Sequence, residues 1–150
     1  MVKLNTYINF KGNTEEAFNF YKSVFGGEFS ELMRWKDMPK SEGCEDMNLS
    51  EDDGNKIMHV ALPVGNGDVL MGSDALESMP CETIFGNNFS IGVGAESKEE
   101  LEKLFNSMAE GGTVTMPLAD TFWGAYFGML TDKFGIQWLF NHDYKNTEVQ

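Results

Sequence analysis

The element order of this chain repeats, and that repeat limits its fold more than any other feature. Residues 3–10 (KLNTYINF) alternate Leu4, Thr6, Ile8 and Phe10 against Asn5, Tyr7 and Asn9, the two-residue period of a strand. A helix start follows: Asn13 or Thr14 can cap it, and Glu15 and Glu16 suit the positive end of its dipole. Ala17, Phe18, Phe20, Tyr21, Val24 and Phe25 supply a broad apolar face before Gly26-Gly27 ends the run. Strands are predicted over 28–36, 57–64 and 68–73, the last two closed as a hairpin by Gly65-Asn66-Gly67. The same order then returns. Residues 87–95 read as a strand, Ser97 caps a helix carrying Leu101, Leu104, Phe105 and Met108, and Gly111-Gly112 stops it. Strands over 113–118, 124–131 and 136–141 complete the series, the last two joined through Asp132, Lys133 and Gly135. The distance between the two helix caps and that between the two Gly-Gly stops agree to within one residue, so the chain reads as an internal duplication.

An α+β fold of two strand–helix–three-strand modules follows, as a single domain over 1–150: module one 1–74, linker 75–86, module two 87–143 and tail 144–150. Neither module is expected to stand alone, because one helix can cover only one face of its sheet. The acidic stretch 37–56 reads as a long, mobile excursion between the second and third strands.

Charge restricts the partners. With 24 acidic against 11 basic residues the formal charge is −13, which repels phosphate backbones and anionic membranes, so nucleic-acid and membrane partners are not expected. The amino-terminal MVKLNTYINFKGN lacks a signal-peptide core, and no segment approaches the roughly 20 apolar residues of a membrane span, so a soluble, cytoplasmic protein is expected. Cys44 and Cys81 have neither CxxC spacing nor a larger cysteine framework, which fits reduced thiols.

Three stretches, NFKGNTEEAFNFYKSVFGGE, HVALPVGNGDVLMGSD and GGTVTMPLADTFWGAYFGMLTDKFGIQWLFN, resemble the PhnB-like branch of the vicinal oxygen chelate superfamily, the glyoxalase, bleomycin-resistance and dioxygenase group. Members of that branch often carry the label 3-demethylubiquinone-9 3-methyltransferase, but this chain has no glycine-rich nucleotide loop between a strand and a helix. The resemblance implies tandem βαβββ modules with curved mixed sheets enclosing a cavity, commonly in a homodimer. It also implies four ligands, one from the first and last strand of each module, around a divalent ion that acts as a Lewis acid. Carried onto this chain, those positions fall at Thr6, Met71, Ser90 and Leu139, none a competent ligand for such an ion, and a one-residue slip does not restore the quartet. No metal ligand is therefore assigned and no cofactor is expected, with a divalent metal left open.

Candidate site residues come from this frame and from side-chain chemistry. In 124–131 one alternating set is Tyr126, Gly128 and Leu130 and the other Ala125, Phe127 and Met129, so both faces are apolar. Trp123 and Tyr126 combine a ring with a polar handle, and Phe122 adjoins them. Tyr7, Met71 and Trp138 stand at or beside the inherited ligand positions, with Ser73 closing its strand. Asp74 and Asp120 each end an apolar strand, where either could reach a cavity rim or cap a turn. Trp35 and Trp123 can stack on a cation. His59 can act as acid or base, or stand as a half-buried residue satisfied by one hydrogen bond, while His142 reads as surface. The ligand-binding set is thus Tyr7, Trp35, Met71, Ser73, Asp120, Phe122, Trp123, Tyr126 and Trp138, with His59 as the catalytic candidate. The leading reading is a homodimeric small-molecule-binding protein with an aromatic- and methionine-rich cavity. Whether it is an enzyme stays open. The alternatives are a glyoxalase-type lyase or isomerase, a metal-free enzyme using His59, and sequestration of an antibiotic or toxic compound, to which the negative charge brings cations.

Overall fold

A computed structural model describes residues 1–39 and 48–144, and the chain divides into two compact units, Met1–Ile84 and Phe85–Gln150. Each holds one four-stranded mixed sheet, giving an α+β fold.

In the first unit, β1 (Thr6–Phe10), β2 (Glu31–Arg34), β3 (Ile57–Val64) and β4 (Asp68–Asp74) line up in the order β1-β4-β3-β2. Only the β1–β4 pair is parallel, running from Thr6↔Leu70 to Phe10↔Asp74. Helix α1 (Thr14–Phe25) buries Ala17, Phe18 and Tyr21 on the face of the sheet that carries Ile8, Phe10, Val60, Leu62 and Leu70, all of them buried. The rings of Phe10 and Phe18 meet edge to face at 6.4 Å. Each such side chain taken out of water contributes about 1.5–3 kcal/mol. Gly72 lets the helix approach, because a Cβ there would lie 2.6 Å from Phe18 Cε2 and 2.8 Å from the Ile8 carbonyl oxygen.

The start of α1 is held in an unexpected way. Asn13 occupies the cap position but makes no side-chain capping bond. Asp74, at the end of β4, supplies it instead: its Oδ1 accepts from the Gly12 amide (2.9 Å), the Thr14 amide (3.0 Å) and the Thr14 hydroxyl (2.6 Å). Its Oδ2 accepts from the Ile57 amide at the start of β3 (2.8 Å). A carboxylate among amides at a helix amino terminus also opposes the positive end of the dipole. Asp74 is 1% exposed and belongs to the interior rather than to a rim or a turn.

The expected excursion 37–56 is structured at both of its ends. A 3-10 turn covers Trp35–Asp37, and Glu51–Asn55 forms a short helix, α2, whose cap Ser50 accepts from the Asp53 amide at 3.1 Å. Three acidic residues in its first turn suit the dipole, which is why a run that reads as loop becomes helical. Its middle, with Cys44, lies outside the described residues.

The second unit repeats the plan with β5 (Ile91–Gly94), β6 (Thr113–Asp120), β7 (Ala125–Thr131) and β8 (Gln137–Asp143) in the order β5-β8-β7-β6, again with the first strand parallel to the last. Helix α3 (Lys98–Ala109) starts at Ser97, whose hydroxyl oxygen accepts from the Glu100 amide at 3.1 Å. Leu101, Phe105 and Met108 are buried, and Phe105 meets Phe140 edge to face at 5.3 Å. Asp132 ties the β7–β8 turn, accepting from the amides of Phe134 (2.8 Å) and Ile136 (3.0 Å) and from the Trp138 indole (2.8 Å). Among the described residues no helix is long and apolar enough to cross a membrane.

Candidate functional site on the first sheet

Strand alternation leaves Tyr7 and Asn9 of β1, Met71 and Ser73 of β4, Ala61 and His59 of β3, and Glu31 and Met33 of β2 on the sheet face turned away from α1. Cross-strand register sets them in rows. Tyr7 pairs with Met71, Met71 with Ala61 and Ala61 with Glu31, while Asn9 pairs with Ser73 and Met33 with His59 one step along. The β2–β3 register shifts just beyond Met33, where Arg34 pairs with Ile57, so Met58 is an extra residue beside His59. Such a bulge re-aims neighbouring side chains.

Three contacts define the chemistry of this face. The Tyr7 and His59 rings stack with centroids 5.9 Å apart and planes 25° from parallel. His59 Nε2 lies 3.2 Å from Glu31 Oε2. The Ser73 hydroxyl donates to the Asn9 side-chain carbonyl at 3.1 Å. His59 is 27% exposed and Glu31 68%, so the imidazole has its carboxylate partner at the solvent side. The nearby cation is committed elsewhere: Arg34 makes a two-point pair with Glu15 (2.8 and 2.9 Å) and donates to the Asn55 carbonyl. The Arg34 hydrogen bond holds the Glu15 carboxyl below the usual glutamate value, and Glu15 raises Arg34 in turn.

The remaining expected residues fall in four other places. Trp35 donates its indole N–H to the Asp74 carbonyl at 3.3 Å and stands half-buried beside the end of β4. Tyr126 lies on the α3 side of the second sheet, its hydroxyl donating to Glu102 (2.8 Å) and its ring 4.2 Å from the Lys98 ammonium. Asp120 joins that cluster, 3.8 Å from Lys98, and accepts the Tyr144 hydroxyl. The carboxylate hydrogen bonds of Glu102 and Asp120 raise the Tyr126 and Tyr144 phenols above the ordinary value. Phe122 (97% exposed) and Trp123 (58%) form the β6–β7 tip, in edge-to-face contact at 4.9 Å, with Trp123 6.1 Å from Phe127. Trp138 is 1% exposed, a core side chain bonded to Asp132. His142, expected at the surface, is half-buried with Nδ1 2.8 Å from the Ala95 carbonyl oxygen.

Comparison with known proteins places this geometry. Residues 3–140 match the family model described as the Glyoxalase/Bleomycin resistance protein/Dioxygenase superfamily. The chain belongs to that superfamily. Protein YjdN of Escherichia coli (strain K12) is 31% identical over 143 residues, covering 92% of this chain and 93% of that one. The crystal structure of protein PA1353 from Pseudomonas aeruginosa is similar at 40% identity and a TM-score of 0.79, covering 95% of this chain and 98% of that one. The PhnB protein from Bacillus cereus, for which a 3-demethylubiquinone-9 3-methyltransferase activity is suggested, is 27% identical with a TM-score of 0.71, covering 94% and 99%.

Superfamily members that use a divalent metal draw donors from the first and last strands of each module, and the residues here do not fit that role. Thr6 and Leu70 lie on the α1 face; the pair turned away from it is Tyr7 and Met71, a phenol and a thioether. In the second sheet Ser90 precedes β5, and Gly92 pairs with Leu139, which offers no donor atom. Among the described residues no three His, Cys, Asp or Glu side chains converge to hold a metal ion. Sequence reasoning missed Glu31, Asn9 and Met33. Their alternation was readable, but the register that brings Glu31 to His59 depends on which strands pair.

Proposed function

We propose that this superfamily member binds a small molecule on the α1-distal face of its first sheet, against Tyr7, His59, Met71 and Ser73. One observation carries the reading: residues selected from three separate strands gather on one face, together with Asn9, Glu31 and Met33. A half-open ring, two thioethers, a hydroxyl–amide pair and an imidazole–carboxylate pair offer a planar guest both apolar contact and directional bonds. The Phe122–Trp123–Phe127 cluster of the second unit is a separate, exposed aromatic surface of that unit. A homodimer in the cytoplasm completes the proposal. Light scattering should then give twice the 16.8 kDa chain mass.

Native mass spectrometry of untagged protein, paired with metal analysis, tests it. A retained organic guest that is lost in Tyr7→Ala supports the site. Stoichiometric zinc, nickel, iron or manganese held by residues of this face would overturn it.

A second reading, a metal-free enzyme, is favoured by the His59–Glu31 contact, since a carboxylate at one ring nitrogen orients the imidazole and supports it as a base at the other. Turnover that disappears in His59→Ala while the fold persists would move this reading ahead of simple binding.

A further inference from the structure

We infer that the same sheet face holds a binding site for a soft, monovalent d10 metal ion, copper(I) or its surrogate silver(I), with His59, Met33 and Met71 as ligands. It shares His59 and Met71 with the organic-guest site proposed above but does not rest on that guest being bound.

Placement comes first. Met33 and His59 are direct cross-strand partners, and Met71 pairs with Ala61, two residues along β3 from His59. Direct partners on one face stand with Cβ atoms about 4.5–5.5 Å apart and diagonal ones about 7–8 Å, within reach of long side chains. Two thioethers and an imidazole therefore share one patch. None is locked in the interior: Met33 is 39% exposed, and Met71 and His59 are half-buried.

The imidazole is prepared for such a role. His59 Nε2 faces Glu31 Oε2 at 3.2 Å, while its Nδ1 has no hydrogen bond among the described residues. A carboxylate at one ring nitrogen is the usual support for a histidine whose other nitrogen binds a metal. Tyr7 stacks on the ring and limits its rotation. The donor set then decides the ion. Thioethers are soft ligands that select copper(I), whereas magnesium, calcium and manganese favour several carboxylate and carbonyl oxygens. This face offers one carboxylate, Glu31, and one amide carbonyl, Asn9, already bonded to Ser73. The patch thus suits a different ion from the hard or borderline divalent metals of the superfamily.

The test uses the full chain with Cys44→Ser and Cys81→Ser, so that thiols do not compete. Silver(I) is titrated while the methionine methyl groups are followed by NMR and stoichiometry by native mass spectrometry; copper(I) follows under anaerobic competition with a chromogenic chelator. One equivalent should move the Met33 and Met71 methyl signals and the His59 ring signals while the other methionines of the ten stay in place. Met33→Leu and Met71→Leu, which preserve side-chain volume, should each weaken binding, and His59→Ala should abolish it. Glu31→Gln should weaken it by about 10-fold or more through the orienting contact. Methyl shifts elsewhere, or unchanged affinity in folded His59→Ala and Met33→Leu variants, would overturn the site. Loss of the organic guest in Tyr7→Ala, with silver binding intact or absent, reports on the first proposal separately.

Discussion

Replacing Asp74 should destabilise the first unit more than its single position suggests. The carboxylate takes bonds from three backbone amides and one hydroxyl, and those of Thr14 and Ile57 are buried. In Asp74→Ala the Thr14 hydroxyl can turn to another acceptor, but the Thr14 and Ile57 amides cannot move without unwinding α1 or β3. Each buried donor left unpaired costs about 1–3 kcal/mol, so the two together cost about 2–6 kcal/mol. Asp74→Asn separates the contributions. Its amide oxygen can still serve Gly12 and Thr14, but its NH2 group would meet the Ile57 amide donor to donor, a loss of about 2 kcal/mol. Urea unfolding should rank wild type above Asn above Ala. Amide exchange locates the effect: at about 1.4 kcal/mol per factor of ten, protection at Ile57 should fall by well over tenfold in the Asn variant, and protection at Thr14 as well in the Ala variant. If both variants unfold within about 0.5 kcal/mol of wild type, or if protection falls at Leu101 and Met108 instead, the capping assignment is wrong.

Gly72→Ala should cost about 1–3 kcal/mol in urea unfolding, since its new Cβ would meet Phe18 at 2.6 Å and the Ile8 carbonyl at 2.8 Å; adding Phe18→Leu should recover part of that loss, and additive losses would argue against the clash. Tyr126→Phe should destabilise by about 0.5 kcal/mol, the low end for a partly exposed hydrogen bond. Because Glu102 raises the Tyr126 phenol above its ordinary 10.0, that difference should be constant below pH 10 and shrink as pH rises through the folded-state value, which pH-dependent unfolding can follow. Glu15 has the opposite sign: its carboxyl sits below the ordinary 4.5, so the Arg34 pair stabilises above that pH and is lost as pH falls through the folded value. Carboxyl NMR should show Glu15 returning to the ordinary range in Arg34→Ala, with a stability change under about 1 kcal/mol because the pair is half-exposed.

Local signals carried much of the fold and little of the site. Ser97 announced α3 because its acceptor and the Glu100 amide are three residues apart. The α1 cap did not show, because Asp74 lies 60 residues from Thr14 and Asn13 looked sufficient. The residue 87–95 strand shortened to Ile91–Gly94, where β8 provides a partner. On the site face, Tyr7 and Met71 came from the strand positions the family resemblance implies, His59 from its acid–base chemistry and Ser73 from its place at a strand end, each taken one strand at a time. Only pairing shows that Glu31 stands beside His59, since β2 and β3 are separated by a long connection. Trp138 and Tyr126 illustrate the remaining ambiguity. Both rings have a polar tip, and the hydrogen-bond partners that hold them, Asp132 and Glu102, belong to a turn and a helix whose orientation no two-residue period records.

The parallel closing strand has a consequence for synthesis. As the chain leaves the ribosome, β1 emerges first but its hydrogen-bonding neighbour is β4, and the carboxylate that secures the start of α1 is the last residue of that strand. Ile8, Phe10, Phe18 and Tyr21 must therefore wait, apolar and uncovered, until residue 74 is out. The second half repeats the delay, because β8 lies between β5 and β7. A nascent chain that stops before residue 137 lacks β8, an interior strand of its sheet rather than an edge, and should become a chaperone client instead of a shortened but working protein.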